Sequence, residues 1–386
     1  TYRKGIHLED KSREAVDPGP LRNMPHVPIA VLSAGVPVLH PDLLRPWPEG
    51  KDTVVGLNEA VLAVFDGPRV IFPDGFSREQ QNVRAVYYDG PASFTHSIGV
   101  ISGPRPDAPL LKFAAVYLRS TLARYFLMMR GWKMLCERNG IHLKDVDAFP
   151  FFPPEDAPDP AAAASALASI TDHVDRLKSE EELAQLARYQ SVRGELDAAV
   201  FAYFGLTDEE QTLVTETVEV LMPSIRPRSF KSLDTPAQRT ADAQDFRIYA
   251  NALATALTAW RDRTGGRGRF NVDVVANDPA RAGPSGIVKV SYSERGRTAP
   301  GAAAVVNDEL VIETLSALRK SGLRTIPSGD YLTLVPDAHL WIDGSLYLVR
   351  PLTQRSWTVR QALRDAEHIV RTVQSRAGSD KLAVPA

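Results

Sequence analysis

The chain has 386 residues, which predicts two or three domains, each able to bury its own core. Its composition is ordinary for a globular protein, with 44% hydrophobic and 24% charged residues, and a net charge of −2 recruits neither nucleic acid nor membrane as a whole-chain effect. No apolar run reaches the roughly 18 residues of a membrane span, the polar opening TYRKGIHLEDKSREA has no apolar secretory core, and a lone Cys136 excludes a disulfide framework or a cysteine-built metal site and fits a reducing cytoplasm.

The chain opens at Thr1 rather than Met, and reads as a fragment or as one partner of a split system. Residues 1–25 are charged, with scattered Pro and Gly, and read as an arm or linker. From Val27 the runs VPIAVLSAGVPVL, VVGLNEAVLAVF, RVIFP, VRAVYY and FTHSIGVISG are short, β-branched and aromatic, and predict strands bounded by turn residues. Leu111, Ala114, Ala115, Leu118, Leu122, Tyr125, Phe126 and Met129 then repeat at helical spacing and predict one continuous helix ending at Gly131. The prolines of FPFFPPEDAPDP close this unit. Residues 159–222 are acidic and helical, with Gly205 as a C-cap and Thr207 and Glu210 as a capping box. They read as a helical spacer or docking segment. Residues 223–237 have no period and read as a linker.

The remaining 238–386 predicts a separate α+β domain. A helical stripe from Phe246 to Trp260 stops at Gly265-Gly266. Strands follow at FNVDVVA, GIVKVSY and AAAVV, then a helix near ELVIETLSALRKSG. YLTLVP, AHLWID and SLYLVR form a meander, with Asp343-Gly344 as a hairpin dipeptide. Thr358 and Gln361 open a final helix. The fold class is therefore α+β throughout.

Catalytic and cofactor signatures are missing from the sequence. There is no Walker loop, no strand–GxGxxG–helix unit and no GxSxG elbow. The glycines of GGRGRF follow a helix instead of opening one. His142 and Lys144 are spaced as in a phospholipase-type nuclease, but the acid expected at 149 is Phe149. Asp273 with Lys289 would give a metal one carboxylate at most, because Ile287 stands where a second acid is needed. No catalytic residue, metal or cofactor is assigned to this chain.

Charge is concentrated locally. Lys112, Arg119, Arg124, Arg130, Lys133, Arg138 and Lys144 face a single acid, Glu137, between 112 and 144. Solvated helix faces usually mix signs, and a one-signed stripe beside aromatics suits the phosphate backbone of DNA. A second group lies on the final helix, where Arg360, Arg364 and Arg371 repeat at helical spacing. Arginine suits planar contacts to carboxylate or phosphate, so this face is expected to meet a partner or DNA. The acidic 155–197 segment is an alternative, internal partner for it.

Several blocks resemble the target recognition region of adenine-N6 restriction–modification DNA methyltransferases. They are RVIFP (69–73), YLRSTLARYF (117–126), the Glu137-Arg138 step, KDVDAFPFFPP (144–154) and LDAAVFAYFGLTDEEQTLV (196–214). Together they cover about 65–220. The Asn/Asp-Pro-Pro-Tyr/Phe tetrapeptide that holds a flipped adenine in those enzymes is missing; Phe152-Pro153-Pro154-Glu155 has only the prolines. The resemblance therefore implies a specificity part acting on double-stranded DNA within a modification or phage-defence system. It would work with a separate or removed methyltransferase domain holding S-adenosylmethionine, and with other defence proteins. In that picture the 112–144 cations touch backbone, while Arg69, Arg78 and Arg84, in strands and loops, are placed for base readout. The alternatives are a cryptic metal-dependent nuclease in the C-terminal domain and an assembly protein without DNA affinity.

Overall fold

A computed structural model describes residues 2–8, 15–33, 35–75, 82–131, 143–225, 235–277, 285–294, 301–322, 325–328, 331–334 and 338–382. The chain mixes helix and sheet and divides into two compact units, Thr1–Val218 and Glu219–Ala386. No helix among the described residues is long and apolar enough to cross a membrane.

The first unit opens with β1 (Tyr2–Lys4) and β2 (His7–Leu8), so the expected arm contributes strands. β3 (Val54–Val55) pairs with β2. After the short α1 (Glu59–Leu62) come β4 (Arg69–Pro73), β5 (Val86–Tyr88) and β6 (Ile98–Ser102). These build an antiparallel sheet in the order β1-β6-β4-β5. Every residue of β4 is buried, the apolar Val70, Ile71 and Phe72 as expected of a strand covered on both faces and the charged Arg69 along with them.

Two expected strands are replaced by other structure. Within 27–39, Ile29–Ser33 form a 3-10 turn, and Val38 makes only an isolated bridge to Tyr87. Pro28 and Pro37 remove backbone donors there. In VVGLNEAVLAVF, the Asn58 side chain accepts from the Val61 amide at 3.0 Å and starts α1 instead of continuing a strand.

The long helix is also two helices. α2 (Ala108–Arg119) ends at Ser120, whose extended backbone turns the chain before α3 (Thr121–Arg130). The Ser120 hydroxyl accepts from the Ala123 amide at 3.2 Å, an N-cap inside an apolar stripe that runs on past it. Gly131 closes α3, its amide reaching the Leu127 carbonyl.

α4 (Leu143–Asp147) precedes a helical hairpin of α5 (Pro160–Ser179) and α6 (Glu182–Tyr203), followed by α7 (Asp208–Glu216). The expected spacer is part of the first unit, because α5 packs against α2. Lys112 pairs with Asp175 and Lys178 with Asp89, both at 2.6 Å. The Thr207–Glu210 capping box forms as read. α8 (Met222–Ile225) takes the first residues of the expected linker, and residues 226–234 lie outside the described residues.

The second unit starts with α9 (Ala243–Arg263), opened by a reciprocal Asp242–Asp245 cap. β7 (Arg269–Ala276), β8 (Ser285–Ser293) and β9 (Gly301–Val306) precede α10 (Asp308–Lys320). β10 (Thr325–Ser328) and β11 (Tyr331–Leu334) form a separate pair. β12 (Ala338–Ile342), β13 (Ser345–Pro351) and α11 (Val359–Leu382) complete the unit. The main sheet runs β12-β13-β8-β7-β9, antiparallel except for β9 beside β7. α9 and α11 cover one face over Val272, Val274, Val288, Leu346 and Leu348; α10 covers the other, where Ile287 and Val349 point. The Asp343-Gly344 turn forms with both residues at positive φ, 45° and 73°.

Candidate functional site

The basic cluster of 112–144 divides by burial. Arg119 is 3% exposed, donates from Nη1 to the Ala85 carbonyl at 3.1 Å, and lies 5.7 Å from the Tyr189 ring centre. Arg124 is 1% exposed on the inner side of α3. Arg69 is fully buried and spans two carbonyls, Gly67 at 2.6 Å and Gly90 at 2.7 Å. Burial lowers its pKa to about 10, so it stays charged at neutral pH. All three guanidinium groups are buried, Arg69 and Arg119 as interior braces, and the reading of these arginines as DNA contacts is corrected: a guanidinium enclosed by protein cannot release counterions from a phosphate. A long aliphatic stem and five donors let arginine enter a core wherever carbonyls and rings satisfy it.

The Lys112 side chain is mostly covered and committed to Asp175. Arg84 is half-buried and reaches the Gly75 carbonyl at 3.4 Å, with burial lowering its pKa. Arg130 is exposed, its guanidinium 5.7 Å from the Phe126 ring centre. Of this set it remains available to a phosphate. The Ser120 turn also breaks the helical phase that would align Lys112, Arg119 and Arg130 on one stripe. Arg78, Lys133 and Arg138 lie outside the described residues, as does the side chain of Lys144.

Of the blocks that resemble a target recognition region, those at 69–73, 117–126, 144–154 and 196–214 lie in the first unit, and Glu137-Arg138 lies outside the described residues. RVIFP is the central strand β4, and YLRSTLARYF is the end of α2, the Ser120 turn and α3. Asp197 of α6 accepts from the Thr121 amide at 2.9 Å and from its hydroxyl at 2.7 Å, fixing the first turn of α3 to α6. Phe113 stacks near Tyr203, with ring centres 4.0 Å apart, and the Tyr203 hydroxyl donates to the Phe152 carbonyl at 2.6 Å. Burial pushes that phenol up to about 12. Tyr117, Phe149 and Phe204 complete one aromatic cluster joining α2, the FPFF segment and α6.

In the second unit, Arg364 and Arg371 are exposed and Arg360 is half-buried. Arg371 pairs with Glu367 at 2.6 Å. Beside them is a polar cleft of about 660 Å³ whose floor is an unanticipated network. Asp365 accepts from the Tyr249 hydroxyl, from Arg350 and from Gln361 Nε2. Burial raises the pKa of both Asp365 and Tyr249. These partners come from α9, β13 and α11, so only the Gln361–Asp365 spacing on one helix was a readable signal. Asp273 and Lys289 stand opposite each other in the β7–β8 register. No group of three His, Cys, Asp or Glu residues that could hold a metal occurs among the described residues.

No family model matches the chain, and no curated protein matches its sequence.

Proposed function

We propose that the chain is the DNA-sequence-recognition component of a DNA-modification or phage-defence system, acting with an adenine-N6 methyltransferase domain carried elsewhere. One observation supports this reading most directly. The blocks at 69–73, 117–126, 144–154 and 196–214 lie in the order of a target recognition region and fall within one compact unit, where α2 packs on β4, Thr121 bonds Asp197 and Tyr203 bonds Phe152. With Arg69, Arg119 and Arg124 buried, duplex contact falls to other groups, with the exposed Arg130 as the first choice and Arg78, which lies outside the described residues, as the choice the sequence reading favours. S-adenosylmethionine would be held by the partner.

The test is a mobility shift of duplex DNA by the purified chain across a salt series, followed by selection from a random duplex pool. Binding at low salt, weakening steeply as salt rises, and an enriched sequence are expected. Arg130→Gln should make the salt slope shallower by about 0.9, the share of one phosphate contact. No shift at any salt would leave the assembly-protein alternative. Calorimetry is expected to give no micromolar S-adenosylmethionine site on this chain.

A further inference from the structure

The polar cleft of the second unit adjoins a second cavity of opposite character. The edge strand β12 carries His339 and Trp341, two residues apart and therefore on the same face, about 7 Å from each other along the strand. They pair with Leu348 and Leu346 of β13, which belong to the core beneath α9 and α11. His339 lines the polar cleft; Trp341 lines an apolar pocket of about 350 Å³ together with Trp260, Phe270 and Tyr292. On α11 the consecutive residues His368 and Ile369 divide in the same way. The two cavities are therefore neighbours along one strand edge and one helix.

The polar cleft has the charge arrangement of an anion site. Arg350, Arg364 and Arg371 stand against Asp365 and Glu367, leaving one positive charge in excess before either histidine is protonated. Asp365 is occupied by Tyr249, Arg350 and Gln361. Glu367 is committed to Arg371, in a pair exposed on both sides and open to exchange for another anion. Arg364 makes no hydrogen bond or ion pair among the described residues and is exposed at the cleft. His339 and His368 meet edge to face, with ring centres 4.6 Å apart, beside these arginines. The neighbouring pocket presents ring faces: Phe270 lies 6.4 Å from Trp260 and 5.4 Å from Tyr292. Tyr292 and Trp341 are 45% and 37% exposed, so the two rings line the pocket from its solvent side.

We propose that this paired site binds a nucleotide unit, its phosphate held by Arg364, Arg371, His339 and His368 and its base stacked in the Trp341–Tyr292–Phe270 pocket. The spacing of one strand repeat matches the separation of phosphate and base, and aromatic faces accept any base without reading its edge. The phosphate-plus-base chemistry can come from a free mononucleotide or from a single strand of nucleic acid. The inference does not depend on duplex recognition by the first unit.

The full chain is titrated with 5′-dAMP, inorganic phosphate, deoxyadenosine and a single-stranded oligonucleotide. Tryptophan fluorescence reports the base, and the assigned His339 and His368 ring resonances report the phosphate. dAMP should quench fluorescence and move both histidines, while phosphate should move the histidines alone. Arg364→Gln with Arg371→Gln should weaken dAMP roughly tenfold or more and abolish the phosphate response. Trp341→Leu should weaken dAMP and deoxyadenosine by about fivefold or more and leave phosphate unchanged. Unchanged melting of the arginine variant, whose side chains are exposed, keeps its result interpretable if Trp341→Leu misfolds. Much tighter binding of the oligonucleotide than of dAMP assigns the ligand to single-stranded nucleic acid; equal binding assigns it to a mononucleotide. No response to dAMP or oligonucleotide at millimolar concentration, or loss of affinity in neither variant, overturns the proposal. Duplex mobility shifts by the same variants separate this outcome from failure of the recognition reading.

Discussion

Replacing Arg119 separates a structural arginine from a DNA contact. Its guanidinium is enclosed, donates to the Ala85 carbonyl of the strand-side chain and lies against the Tyr189 ring of α6, so it ties sheet, α2 and α6 together. Arg119→Met keeps an unbranched apolar stem but removes the donors. The lost charged hydrogen bond and the stranded carbonyl together cost about 2–3 kcal/mol. Arg119→Ala adds the lost packing of the stem, for a total of roughly 3–4 kcal/mol. For a unit of this size each kcal/mol moves the midpoint by about 2–4 °C, so Arg119→Met should lower it by roughly 4–12 °C. Differential scanning calorimetry of the full chain would show the change in the transition of the first unit, and Arg130→Gln should leave that transition in place. Below its new midpoint, Arg119→Met should retain the wild-type salt slope for duplex DNA. An unchanged midpoint together with a slope shallower by about 0.9 would refute the brace and return Arg119 to the phosphate backbone.

Asp197→Ala removes the carboxylate that accepts from the Thr121 amide and hydroxyl at the start of α3; a cost of about 1–2 kcal/mol is expected by urea unfolding, with Asp197→Asn recovering part of it. Acid should weaken the first unit. His26, 3.1 Å from the Ser93 hydroxyl, has its pKa lowered by burial, and His96 is lowered by burial and by neighbouring His7. The unfolded chain protonates both near 6.5, whereas the fold keeps them neutral to lower pH, so stability is complete above about 6.5 and falls as pH drops from there toward the depressed values. His26→Gln should flatten that slope in melting curves between neutral and mildly acidic pH. Gly286 lies beneath Trp357, where an added Cβ would come within 2.4 Å of the indole; Gly286→Ala should destabilise the second unit by roughly 1–3 kcal/mol without touching the first.

Local signals were legible where a single stretch of chain decides the outcome. RVIFP reads as a strand, the Asp343-Gly344 turn needs positive φ, and Thr207 and Glu210 cap each other across three residues. Ser120 was obscured because the apolar stripe stays in phase on both sides of it, so periodicity alone joins α2 to α3. The arginines misled for a different reason. Counting charge assumes that cations face water, and nothing near Arg119 in sequence announces Ala85 or Tyr189, which are 34 and 70 positions away. The Asp365 network was likewise hidden, since Tyr249 is 116 residues from its carboxylate.

The bracing of β4 bears on how this chain could change over evolutionary time. Arg69 holds Gly67 and Gly90 at the open end of the β4–β5 pair, and Arg84 reaches Gly75 at the other end, so the two strands are clasped at both ends by side chains that stay in the scaffold. A connection that leaves a frame held in this way can be lengthened, shortened or rewritten. Doubling its length adds only about 0.6 kcal/mol of closure entropy, far less than the cost of losing either clasp. New contacts can therefore be tried between Gly75 and Arg84 while the frame of β4 and β5 is inherited intact.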